Sequence, residues 1–134
     1  MAVQWRDAGL LILRVGLGGM FIAHGLPKMG GGPKTWEALG GAMGTLGVDQ
    51  GHVYFGFAAA FAETVGGLML VLGVGVRAAA FLLVCTMIVA TSKHLAAGDK
   101  FALWSHAAED GIAFLALMLT GGGRYTLDRS RWSR

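Results

Sequence analysis

Four long apolar stretches, each broken by only a few charged or imidazole side chains, divide the chain. The first runs from Gly9 to Leu26 and is interrupted by Arg14 and His24. As a helix it reaches about 27 Å, close to the hydrocarbon thickness of a bilayer. Pro27 disfavours helical geometry at Leu26, so this helix is expected to stop there. The second stretch, Val53 to Val74, surrounds Glu63; the third runs from Arg77 to Leu95, after a Gly-Val-Gly-Val turn. The fourth, Ser105 to Thr120, carries Glu109 and Asp110 near its start. In lipid every backbone group needs an internal partner, which leaves helices as the structure for runs of this length. The pattern predicts an all-α protein, a four-helix transmembrane bundle with up-down-up-down topology and one domain over residues 1–134. Its spans cover about 9–26, 53–74, 77–95 and 105–120. The connector after the first span is too long for a plain turn. Within it Pro33 suits a helix start, and Trp36, Leu39, Met43 and Leu46 recur at spacings of three and four. A short amphipathic helix over about 33–46, lying on the outer surface, is expected there.

Composition agrees with a membrane setting. Apolar residues make up 54% of the chain and charged residues 14%, too few charges for a water-facing globule. The 23 glycines suit helices packed closely in lipid. Arg14 inside the first run, and the lack of a small-residue cleavage site after it, argue against a cleaved leader. A net charge of +3 raises the question of nucleic acid, but the basic residues flank the apolar runs instead of forming a stripe. Arg6, Arg77, Arg124, Arg129, Arg131 and Arg134 fall on the side of the termini; Lys28, Lys34, Lys93 and Lys100 fall on the other. That bias places both termini in the cytoplasm. The single cysteine, Cys85, excludes an internal disulfide and a cysteine zinc site, and its apolar run predicts an inert buried thiol.

The polar residues inside the spans carry the candidate chemistry. Glu63 lies about 15 Å from either end of its span, out of reach of water, so it must be neutral, paired or facing a wet cavity. Arg14 differs in depth by about a turn, which makes an Arg14–Glu63 pair the expected arrangement, with snorkelling of Arg14 as the alternative. Ala59, Glu63 and Gly67, with Ala58, Ala62 and Gly66 beside them, predict an inward face; Gly19 and Ala23 share the spacing on the first helix. The glycine clusters follow no strand, so packing explains them better than nucleotide binding. At the outer end His24, His94, His106 and Glu109 come to similar depths. That set is compatible with a metal site, with a pocket for a small ligand or a quinone head, or with ordinary interfacial histidines.

"LRVGLGGMFIAHGLPKM", "FAETVGGLMLVLGVGVRAAA" and "GGGRYTLDR", in this order over about residues 10–128, resemble the DoxX family of small bacterial membrane proteins. The matching positions are Arg14, His24, Gly25 and Lys28, then Glu63, Gly66, Gly67, Gly73 and Arg77, then Glu109, Gly123, Arg124 and Asp128. The resemblance implies a four-helix inner-membrane protein with a redox association. Its relatives include a subunit of an archaeal thiosulfate:quinone oxidoreductase and a membrane partner of superoxide dismutase and a sulfurtransferase. On that basis the expected function is a redox-associated membrane subunit with a polar pocket for a quinone or a small, sulfur-containing ligand. Arg14, His24, Lys28, Glu63, His94, His106 and Glu109 would bind the ligand or handle protons. Soluble redox proteins and a second copy are the expected partners, and nucleic acid is not. Two other classes stay open. One is a scaffold without chemistry, docking a partner or anionic lipid through "RYTLDRSRWSR". The other is a proton or small-solute pathway through Glu63.

Overall fold

The computed structural model describes residues 4–128, and among them every regular element is helical. Helix α1 spans Trp5–Gly30 and α2 spans Gly32–Gly40, followed by a 3-10 segment over Gly41–Leu46. Helix α3 covers His52–Leu72, with one π turn at Ala62–Gly66 in its middle. Helix α4 covers Val76–Ala96 and α5 covers Phe101–Thr120. Three of these, α1, α3 and α4, are long and apolar enough to cross a membrane. Helix α5 is nearly as long, but His106, Glu109 and Asp110 crowd its first half. Large apolar side chains face outward along the helices, including Ile12 at 73% exposure, Ile88 at 56% and Ile112 at 68%. A surface of this kind is shielded by lipid, as in a membrane protein.

The first helix departs from expectation at its end. It continues through Pro27 to Gly30 instead of stopping at Leu26. Proline costs one backbone hydrogen bond, a loss that membrane helices tolerate when neighbours support the chain. Beyond the proline the helix end is held from the connector, where the Trp36 indole Nε1 donates to the Lys28 carbonyl at 2.9 Å.

Packing of α1 on α3 depends on two facing glycines. A Cβ at Gly18 would lie 2.5 Å from the Gly67 carbonyl, and a Cβ at Gly67 would lie 2.7 Å from the Gly18 carbonyl. The α1 face in contact therefore runs through Arg14, Gly18, Phe21 and Gly25, all buried. Gly19 and Ala23, expected to point inward, are exposed. Between α3 and α4 the chain reverses in three residues, with Gly73 at φ 71° and Gly75 at φ 53°, a backbone region that glycine enters without strain. A common core joins Phe21, Leu70, Val76, Ala79, Ala80, Leu83, Met87, Phe114 and Leu117.

The connector is a helical wall. Trp36 packs its carbonyl on Gly56, and Gly40 sits on the His52 carbonyl, so α2 runs antiparallel along the first half of α3. The Trp36 and Phe57 rings meet edge to face at 4.9 Å.

Candidate functional site

Glu63 lies in the π turn of α3 and is 5% exposed. It points to neighbouring helices, as its mid-span position requires, but its partner is Lys28 and not Arg14. The Lys28 ammonium donates to both carboxylate oxygens, at 2.9 Å and 2.8 Å. Two features bring the pair together. Continuing α1 past Pro27 keeps Lys28 in register with the buried face, three residues after Gly25 and seven after Phe21. Gly25 in turn lets α1 approach the π turn so closely that a Cβ there would collide with Thr64. Pi turns are rare and recur at functional sites, and this one carries the only carboxylate of α3.

The pair forms part of the wall of a cavity of about 450 Å³ between α3, α4 and the connector. Ala58, Ala59 and Ala62 line one side, Leu82, Val89 and Ala90 the other, and Leu39 and Met43 of the connector a third. Lys93 and His94 lie near the far end of α4, with His94 Nδ1 2.6 Å from an Asp99 carboxylate oxygen. Cys85 also faces this space and is exposed, not buried as its apolar run predicts. The chamber thus offers a long apolar volume with a carboxylate–ammonium pair at one place. Such a combination holds a mostly apolar molecule and orients it through one polar group.

Arg14 serves a separate purpose. It is 1% exposed and donates to the carbonyls of Leu70 at 2.9 Å and Val71 at 2.9 Å, and to Tyr125. Arginine there caps the C-terminal end of α3, where the terminal carbonyls concentrate negative potential. The segment after α5 is bound to the same end. Leu127 and Asp128 donate their backbone N–H groups to Leu72 and Gly73, and Asp7 accepts the Arg124 backbone N–H at 3.1 Å. The expected Arg14–Glu63 pair fails because α3 provides its own acceptors about two turns beyond the acid.

His24, His106 and Glu109 do not join the cavity either. They are exposed on α1 and α5, with Asp110 within electrostatic reach of all three, while His94 faces the other side of the molecule. Among the described residues no three His, Cys, Asp or Glu side chains, those of His24, His94, His106 and Glu109 included, converge to hold a metal. Of the residues singled out in the sequence, Lys28, Glu63 and His94 meet in the chamber. Sequence reasoning missed Cys85, Lys93 and Asp99. Only Asp99 left a trace, five residues after His94 in the turn before α5. The tail residues Ser130 to Arg134, a candidate docking segment, lie outside the described residues.

The family model described as DoxX matches residues 9–97, from α1 through the end of α4. No curated protein and no solved structure matches the chain. The matched region contains the Lys28–Glu63 pair and every residue that lines the cavity.

Proposed function

Because the chain belongs to the DoxX family, we propose that it is a redox-associated subunit of the bacterial inner membrane, holding a quinone or a small sulfur-containing molecule between α3 and α4. One observation carries this reading: the Lys28–Glu63 pair, at 2.8 Å, opens onto an otherwise apolar chamber. A quinone has an apolar body and carbonyl oxygens that accept hydrogen bonds. The Lys28 side chain is 33% exposed and has a third N–H beyond the two that reach Glu63. It can donate that proton to a ligand carbonyl without abandoning the carboxylate. Reduction of a quinone takes up protons with electrons. Glu63, joined to a lysine and set beside the ligand, is positioned to pass them, and His94 with Asp99 stands nearer the rim. Electrons would come from a partner protein, since the chain itself carries no paired thiols.

The same reading takes α5 as a fourth span, giving an up-down-up-down bundle with both termini in the cytoplasm. It is supported by the length of α5, 20 residues, and by the contact of Asp7 with Arg124, which puts the two ends of the described chain together.

Titration of the purified protein with a short-chain menaquinone analogue, followed by calorimetry, tests the proposal. Saturable binding is expected in the wild type, with a loss of about tenfold or more in Lys28→Met, the scale of one lost charged hydrogen bond. Arg14→Lys, a change outside the chamber, is expected to bind as the wild type does. A wild type that shows no saturable binding would remove the quinone reading.

A further inference from the structure

On the four-span reading, α5 presents lipid with a face that lipid does not suit. Ala102, His106, Glu109, Ala113, Ala116 and Thr120 recur at spacings of four and three, so they form one stripe along the helix. All are exposed except Ala113, which is half-buried. The helix buries Ser105, Phe114 and Leu117 elsewhere on its circumference. Glu109 lies about 12 Å along the helix from Phe101, well beyond the depth at which a carboxylate reaches headgroup water. Among the described residues neither the His106 nor the Glu109 side chain makes a hydrogen bond, and both lie within electrostatic reach of Asp110. Thr120, by contrast, satisfies its hydroxyl locally, donating to the Ala116 carbonyl at 2.8 Å.

We propose that this stripe is the seam of a homodimer, in which α5 packs against α5 of a second copy. Small residues at Ala102, Ala113 and Ala116 let two backbones come close, the geometry by which membrane helices associate. The charges identify the occupant. His106 and Glu109 are neighbours of opposite character on one face. About a two-fold axis normal to the membrane, each imidazole meets the carboxylate of the other copy, twice over. A partner of different sequence would need the same alternation by coincidence, whereas a second copy has it by symmetry. Helix α1 also shows an outward line of small residues, Gly9, Gly16 and Gly19, with nothing near them, but it carries no charge to select a partner. Asp110, on the same helix, lies within electrostatic reach of His106, of Glu109 and of His24 on α1.

The test uses the full chain in native membranes, with Cys85→Ser to remove the existing thiol. Oxidation of Ala113→Cys is expected to give a disulfide-linked dimer, and Ile88→Cys, on the outward face of α4, is expected to give none. In liposomes, energy transfer between labelled copies should weaken by about tenfold in His106→Glu or in Glu109→His. The reciprocal double change, His106→Glu with Glu109→His, should restore it. Equal cross-linking at both cysteines, or a dimer lost in Gly19→Leu but indifferent to the α5 charges, would overturn the proposal. A membrane-impermeant maleimide separates the two levels of the argument. If it labels Ala113→Cys, α5 is not a span and the four-span reading falls too. If it does not, and no cross-link forms, the dimer alone is wrong.

Discussion

A carboxylate held in the middle of an apolar helix survives by finding a cation, and which cation it finds decides what the site can do. Arg14 would have locked Glu63 into the floor of the molecule. Lys28 leaves it open to a chamber, because the lysine stem approaches from the end of α1 and keeps a third of its side-chain surface accessible. The asymmetry of that exposure makes a prediction. Lys28→Met strands a carboxylate that is 6% exposed, and should cost about 1–3 kcal/mol, below the range for a fully buried pair because the lysine is partly wet. Glu63→Gln frees a lysine that can turn toward water, and should cost less. The double change Lys28→Met with Glu63→Leu should recover part of the loss. Denaturant unfolding in detergent micelles checks the order, and equal penalties for the two single changes would contradict it. Cys85 gives a second residue-scale test. Its thiol faces the same cavity, so a saturating menaquinone analogue should slow its alkylation by N-ethylmaleimide by about tenfold, the effect of occupying most sites. Glu63 was visible in the sequence because a charge in an apolar run has to be explained. Its partner was not visible, since Pro27 signals a helix end and so removes Lys28 from the helix on paper. Cys85 was hidden for a different reason: α4 is apolar all round, and nothing in its pattern says which face borders a cavity.

The α1–α3 contact shows the same limit at the scale of elements. In water, amphipathicity tells which face of a helix is buried. In lipid both faces are apolar, and the buried one is chosen by how closely backbones can approach. Helix α1 has glycines on both sides, so the choice between Gly18 and Gly19 is invisible in composition. The better clue was periodic: Asp7, Arg14, Phe21 and Lys28 recur every seven residues, and all belong to the face that is buried or paired. Gly18→Leu should therefore abolish folding or cost several kcal/mol, about the size of a severe overpacking change, because the Gly67 backbone occupies its path. Gly19→Leu, with nothing within 4 Å of its added Cβ, should leave the unfolding midpoint of the monomer unchanged. The comparison is run in micelles dilute enough that copies do not meet. The connector was readable as a helix near 33–46 from its spacing, and appears as α2 with a 3-10 extension. Its placement along α3 was not readable, because it depends on Gly56 and Gly40 accepting the carbonyls and backbone of another element.

At the scale of the whole molecule, one end is closed. Arg14, Asp7, the α3–α4 turn and the segment from Gly121 to Asp128 are tied together by hydrogen bonds that span more than 50 residues of sequence. On the four-span reading, an even number of crossings keeps Asp7 and Arg124 on one side of the membrane, as their contact requires. On the same reading the cavity side faces the opposite way, with Lys28, Lys93 and His94 toward it and Arg6, Arg77 and Arg124 at the other end. The charge bias of flanking residues is then expected to set the arginine end in the cytoplasm. Reporter fusions give the expected outcome a direct form. A fluorescent reporter that folds only in the cytoplasm should light at either terminus. An exported phosphatase should be active when inserted at Gly47, between α2 and α3, or at Gly98, between α4 and α5. Helix α5 is the element at risk, since His106, Glu109 and Asp110 make it the least apolar of the four long helices. If the C-terminal reporter were dark while the N-terminal one was bright, α5 would not cross, and the contact of Asp7 with Arg124 would require a membrane boundary running between them. That contradiction is why the fusion after α5 is the decisive one: it asks whether the bonds that close the molecule and the bilayer that surrounds it agree on the same four crossings.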